Sequence, residues 1–367
     1  MRRINLLLLG ILLLLFTKIQ AQDVGGSTLV SQARTTIANI GKCEMTIKYH
    51  SPLVRGRKIF GGIVPYNFVV DGREYPWRAG SNQRTNITFS HDVTIEGQSL
   101  PAGNYGFVVL VNESEWTLIF SSGQTWGAFN YDPANDVLRV SVTPEEMDFQ
   151  EWLSYEFVDP GTETVGIALR WENLRVVFHV ATDAVANSIL DLTAKEKPSA
   201  ADLQALAIRT LDADPSQQAL AMDYLEQSLP LIDAYEEDYY REAYTFNYKV
   251  LKGELLLAMG QLQAGDDLIK EALAAASGFS TYYYALNMLL VKNKPEEALR
   301  LLRQQVKRDP ENRANFLALG EYYLHRGDQQ QATESFKKAY ELSIDSPGEN
   351  YARYLYLQNK IMLEIRG

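Results

Sequence analysis

The sequence predicts two unlike domains, an antiparallel β-sandwich followed by an all-α, tetratricopeptide-like solenoid. Three observations predict it. Apolar residues recur with period two from residue 31 to about residue 183, the pattern of strands with one buried face. Beyond that point the period lengthens to that of a helix, alanine and leucine rise, and glycine thins out. Within this second half, small and aromatic residues return at one fixed interval.

Met1, Arg2 and Arg3 make a basic start, residues 6–16 an apolar run broken only by Gly10, and Ala21 a small residue at the expected cleavage point. The run is too short to cross a bilayer and reads as a secretory signal over residues 1–21, leaving Gln22 first. The lone cysteine, Cys43, is too far from that point to carry lipid and has no disulfide partner, so an exported chain of this kind must hold together by packing. The formal charge of −11 argues against general binding to nucleic acid or anionic membranes. No later apolar run is long enough to span a membrane.

The sandwich is expected over residues 22–183. Cys43, Met45, Ile47 and Tyr49 alternate with polar residues, as do Trp116, Leu118 and Phe120, then Leu138, Val140 and Val142, then Leu153, Tyr155 and Phe157, then Ile167, Leu169 and Trp171. Glu96-Gly97-Gln98, Pro101-Ala102-Gly103, Tyr131-Asp132-Pro133 and Asp159-Pro160-Gly161 supply turns between them. Roughly nine short strands result, at the spacing of antiparallel sheets.

Residues 184–200 are expected as a linker, with proline and mixed charge at residues 195–199, and residues 201–367 as the helical repeats. Asp214-Pro215-Ser216-Gln217 has the composition of a helix start. Phe316, Leu319, Gly320, Tyr323, Ala332, Phe336 and Ala339 occupy tetratricopeptide positions. One repeat earlier Ala285, Leu289, Ala298 and Leu302 do the same, and a weaker copy holds Gly253, Gly260, Ile269 and Ala272, with Lys252 breaking the pattern. Residues 350–365 read as the helix that closes the array.

One stretch has the wrong composition for a strand. Residues 77–88, WRAGSNQRTNIT, follow a loop that brings the basic residues Arg55, Arg57, Lys58, Arg73, Arg78 and Arg84 against only Asp71 and Glu74. Such a local charge reversal suits an anionic or carboxylate ligand, because arginine presents a fixed fork of donors. Arg57, Trp77, Arg78, Asn82 and Thr85 are the candidate ligand residues, Trp77 for stacking on a sugar ring, with Trp126 and Asn130 next. The alternative is that these arginines serve the acidic surplus of their own domain. In the helical half, Tyr240, Tyr244, Tyr248 and Tyr283 are candidates for a protein-binding surface, where an aromatic body with a hydroxyl tip suits peptide contact; core packing competes for each.

Several of these residues also carry a resemblance. Tyr49 with Ser51-Pro52, the run Gly56-Arg57-Lys58-Ile59-Phe60-Gly61-Gly62, Val64-Pro65-Tyr66, Trp77-Arg78 with Gly80, Asn82 and Thr85, Leu100-Pro101-Ala102-Gly103 with Tyr105, and Trp126-Gly127-Ala128-Phe129 with Tyr131 together resemble the family called domain of unknown function 2911. The resemblance covers about residues 27–180. It implies an exported protein of a Bacteroidota-type bacterium, sometimes joined to tetratricopeptide repeats, with no activity assigned. Ser51 stands where that family usually has arginine, and residues 67–76 are longer than its pattern.

Enzyme signatures are sparse. His50, His91, His179 and His325 lack metal-ligand spacing, and no nucleophile elbow or phosphate loop is present. No cofactor and no metal are expected. The leading reading is an exported, non-enzymatic binding protein, periplasmic or secreted, whose sandwich loops take a polar or glycan-like ligand and whose repeats take a protein partner. The alternatives are an envelope hydrolase using carboxylates such as Glu145, Glu146, Asp148 and Glu151, or an assembly scaffold. On the leading reading, mass spectrometry of the exported product should find an unlipidated N-terminus at Gln22; an intact or lipidated one would overturn it.

Overall fold

A computed structural model describes residues 31–123, 131–276, 278–290 and 292–366. The chain divides into two compact units, the break falling after Ser188.

The first unit is an antiparallel β-sandwich. One sheet has six strands in the order β1 (Gln32–Ile40), β2 (Cys43–Ser51), β5 (Thr85–Phe89), β8 (Gly103–Leu110), β9 (Trp116–Ser121) and β10 (Asp136–Val142). The other runs β11 (Glu145–Val158), β12 (Thr164–Ala181), β6 (Val93–Ile95) and β7 (Gln98–Leu100), and β3 (Val69–Val70) with β4 (Arg73–Glu74) makes a short separate ribbon. Register follows the apolar alternation: Met45 faces Phe89, Ile47 faces Ile87, and Ile87 faces Tyr105. Cys43, Met45, Ile47, Leu118 and Phe120 from the first sheet and Ile95, Ile167, Val176 and Phe178 from the second are all fully buried in one core. Phe178 closes the gap between layers, its ring 5.7 Å from Phe107 and 6.0 Å from Phe120.

Two of the expected short strands are long. β11 has 14 residues and β12 has 18, and both stay in one sheet because register shifts beside Gln150 and Glu172 bend them. Glu172 sits at φ 56°, which costs a non-glycine residue roughly 1–2 kcal/mol. Its carboxylate accepts the backbone amides of Ile59 (3.1 Å) and Phe60 (3.3 Å). The loop so held drives Ile59 and Phe60 into the core at 0% and 3% exposure. Gly62 is required there, since a Cβ would stand 2.3 Å from the Lys58 carbonyl oxygen.

The second unit is a series of helix pairs. The segment expected as a linker is mostly helical: α1 (Ala184–Thr193) starts where the Asp183 carboxylate accepts the Ala186 amide. Ser199 then opens α2 (Ala200–Ala213) with a reciprocal capping box to Asp202. The start expected at Asp214 is a turn instead. Asp214 caps the end of α2 and accepts the Ser216 amide, and α3 (Gln218–Ile232) begins later. The following pairs are α4 (Asp238–Ala258) with α5 (Leu262–Ala275), α6 (Gly278–Leu290) with α7 (Pro295–Arg308), and α8 (Arg313–His325) with α9 (Gln329–Glu341); α10 (Glu349–Arg366) packs on α9.

Small residues set how closely each pair approaches. Gly253 of α4 lies against Gly265 and Ile269 of α5, and Gly320 of α8 lies against Phe336 of α9. Ala332, Phe336 and Ala339 are fully buried, as tetratricopeptide packing requires. Lys252, the residue that broke the repeat pattern, has a partner outside it: its Nζ lies 2.6 Å from Glu226 of α3. The Lys252 bond, offset by desolvation and aided by Tyr248, holds the Glu226 carboxyl below its usual range.

A methyl group at Gly320 would stand 2.4 Å from the Phe336 ring, which has no room to yield. Gly320→Ala should therefore lower unfolding stability by roughly 1–3 kcal/mol, although alanine favours a free helix by about 1 kcal/mol. A denaturation midpoint that is unchanged or raised would mean that α8 and α9 do not touch there.

Candidate functional site

The basic stretch of the sandwich is used largely by the fold. Arg57 turns back onto its own loop, donating from Nε to the Val54 carbonyl (2.9 Å) and from Nη2 to the Leu53 carbonyl (2.6 Å). Thr85 is fully buried and donates to the Ala79 carbonyl, which also accepts the Tyr155 hydroxyl. Trp77 pairs with Val109 through two 2.8 Å backbone hydrogen bonds, and its Nε1 donates to the Gly80 carbonyl. Its ring lies stacked 5.9 Å from Trp171, with Phe60 and Trp116 against it edge-on. That placement corrects the expectation of a ligand hydroxyl at Thr85, which is spent on an internal partner; the Trp77 ring is half-buried, stacked on Trp171, and also borders a groove.

Arg78 and Asn82 remain nearer the surface. The Arg78 guanidinium donates to the Asn82 carbonyl (2.5 Å), and the exposed Asn82 takes a left-handed conformation at φ 54°. Partial burial pushes both Arg78 and Arg84 below the ordinary guanidinium range. Arg78 and Trp77 border a groove of about 160 Å³ with Ile63, Phe68, Tyr75 and Leu110, which is more apolar than the expected polar site. Trp126 and Asn130 lie outside the described residues.

Of the carboxylates considered for hydrolysis, Glu145 is bonded to Arg175 at 2.7 Å and Glu151 accepts the Arg55 amide at 2.8 Å. Among the described residues no three His, Cys, Asp or Glu side chains gather as metal ligands. A polar network in the same unit has no signature in the sequence. Arg139 bonds Glu74 (2.7 Å) and Asp136 (2.8 Å), Tyr131 donates to Asp136 (2.6 Å), and Asp136 Oδ1 has no hydrogen-bond partner among the described residues. Desolvation, then the Asp136 bond, raises the Tyr131 hydroxyl far above its usual range. Tyr131, Asp136 and Arg139 lie within one short stretch, but Glu74 comes from a distant segment, so spacing alone could not reveal the whole network.

The helical tyrosines divide into packing and surface residues. Tyr248 is 6% exposed and donates to Glu226 at 3.1 Å, which removes it from the protein-binding candidates. Tyr244 is half-buried between Tyr235 (4.8 Å, stacked) and Tyr240 (6.5 Å, stacked). Burial first, and its tyrosine neighbours next, raise its hydroxyl pKa. Tyr240 and Tyr283 are on the surface at 43% and 63% exposure, joined by Tyr239 and by Tyr351 and Tyr354 of the closing helix, which were expected to shield the last repeat. The sequence reading missed Glu321 of α8. It is half-buried, desolvation raises its carboxyl pKa, and the charge it carries is felt at the hydroxyls of Tyr282 and Tyr351.

With this geometry in place, residues 31–180 match the family model described as "Protein of unknown function (DUF2911)". The helical region is similar to two solved structures titled "MamA AMB-1 P212121" and "Crystal structure of MamA". They are 21% and 17% identical, cover 45% and 44% of this chain and 82% and 86% of their own, and have TM-scores of 0.25 and 0.22. Scores that low carry no argument about function. No curated protein matches the chain.

The packing of Trp77 makes a direct prediction. Trp77→Ala should lower unfolding stability by about 2–3 kcal/mol, as for a half-buried indole packed against aromatic rings, and by more than Arg78→Ala at its partly exposed neighbour. Equal, small losses in thermal melting would return Trp77 to the list of surface residues.

Proposed function

We propose that the chain is an exported interaction protein whose helical unit holds a segment of another protein. The observation that carries this is the exposure of tyrosine on α4 and α6, the first helices of two successive pairs, and on the closing helix α10. Tyr239 and Tyr240 on α4, Tyr283 on α6, and Tyr351 and Tyr354 on α10 are between 43% and 63% exposed. Leaving such rings in water gives no folding stabilisation, while each offers large contact area with only two rotatable side-chain bonds to immobilise. Leu290 on α6 and Leu324 on α8 add exposed apolar area at 56% and 40%. Stacked helix pairs are rigid and repeat the same surface, which suits an extended partner.

Export rests on the signal-like residues 1–21, which lie outside the described residues. No described helix is long and apolar enough to cross a membrane. For the sandwich, the groove bordered by Arg78 is one place for a small ligand, and it favours one with an apolar body.

The test is a comparison of two baits in envelope extract, the full chain and the variant carrying Tyr240→Ala, Tyr283→Ala and Tyr354→Ala. A protein held by the first at least tenfold more than by the second, with both baits melting at the same temperature, supports the reading. Capture that is indifferent to the three tyrosines would overturn it.

A further inference from the structure

Glu321 is the one described carboxylate that burial raises without an opposing cation. Its neighbours are aromatic: Tyr282 and Tyr351 both feel its charge, and Tyr283 packs beside Tyr282 at 5.0 Å ring to ring. Among the described residues nothing hydrogen-bonds to it and no lysine or arginine pairs with it, although other carboxylates of this unit, such as Glu226, Glu254 and Glu271, each hold a lysine. A half-buried carboxylate without a cation costs stability, and folded chains normally avoid it by pairing. Here the position is open on one side, because Tyr283 is 63% and Tyr351 54% exposed.

We propose that Glu321, Tyr282, Tyr283 and Tyr351 form a receptor for one lysine or arginine side chain of a basic peptide segment. The chemistry is complementary at each point. The carboxylate supplies the countercharge, the phenol oxygens accept hydrogen bonds, and aromatic faces attract a cation more strongly as water is excluded. The whole chain carries a formal charge of −11, so a basic partner is also drawn in at long range. The inference rests on the reading of the helical unit as a protein-binding surface, and it adds the charge of what is bound.

The free protein pays for this readiness in stability, and the sign is testable. Glu321 has a raised pKa in the folded state, so its charged form disfavours folding and the penalty appears as pH rises through that pKa. Glu321→Gln should therefore melt at the same temperature as the parent chain or higher at neutral pH. A structural carboxylate would show a lower one.

The binding experiment uses acetylated hexalysine, hexaarginine and hexaglutamate amides, titrated calorimetrically against the full chain. Hexalysine or hexaarginine should bind and hexaglutamate should not. Glu321→Gln should weaken that binding by roughly fivefold or more, the size of one cation–aromatic and carboxylate contact. Glu311→Gln removes the same charge from an exposed position and should change it little. Tyr351→Phe keeps the ring, removes the phenol oxygen, and should also weaken binding, which covers the case of a poorly folding Glu321 variant. Equal weakening by Glu311→Gln and Glu321→Gln, no binding of either basic peptide, or a lower melting temperature for Glu321→Gln would overturn the proposal. Tyrosine-dependent capture of a protein would then still stand, so the two readings fail separately.

Discussion

The two hydrogen bonds from the Ile59 and Phe60 amides to the Glu172 carboxylate hold the part of the sandwich on which its other features depend. A chain with one cysteine has no covalent staple, so the end of its core must be closed by packing. Phe60 closes it, lying 4.7 Å from Trp116, 5.9 Å from Trp77 and 6.1 Å from Trp171. Burying Ile59 and Phe60 contributes about 1.5–3 kcal/mol each, enough to outweigh the roughly 1–2 kcal/mol of left-handed strain at Glu172. Phe60 stands edge-on to the Trp77 ring, which stacks on Trp171; Thr85 is buried and bonded to the Ala79 carbonyl, and Arg78 is partly exposed.

In the helical unit the governing constraint is close approach. Gly253, Gly265 and Gly320 stand where a Cβ would collide across a helix pair, and fully buried alanines follow them. Phe336, Leu302 and their neighbours fill these interfaces together with Phe246, Tyr284 and Tyr322 of the first helices, while Tyr239, Tyr240 and Tyr283 remain in solvent. That division between filled seams and open faces gives the tyrosines their exposure and leaves Glu321 without an internal cation.

Much of this was legible in the residues. Period two placed Cys43, Met45, Ile47 and Tyr49 inward, and fixed offsets placed Ala332, Phe336 and Ala339 in a seam; all seven are buried. Both signals are local, arising from geometry that repeats along the chain. What was not legible depends on partners distant in sequence. Nothing near Trp77 announces Trp171, and nothing near Tyr248 announces Glu226. A glycine-rich basic loop with Arg57 and Lys58 reads as an anion site until Glu172 is seen to hold its neighbouring amides. Helix α1 was hidden for another reason: proline and charge do follow it, at residues 195–199, but Asp183 caps a helix before them.

The central claim for the sandwich is that the Glu172 carboxylate, and not its backbone geometry, holds the closing loop. Unfolding of the Glu172→Gly variant measured against the parent chain separates the two most directly. Glycine removes the strain at φ 56° and the acceptor together. If the carboxylate governs, losing two charge-assisted bonds, each about 1.5–3 kcal/mol, exceeds the strain relieved, and the denaturation midpoint falls with loss of the near-ultraviolet signal of the packed tryptophans. A midpoint that rises, with that signal intact, would contradict the account.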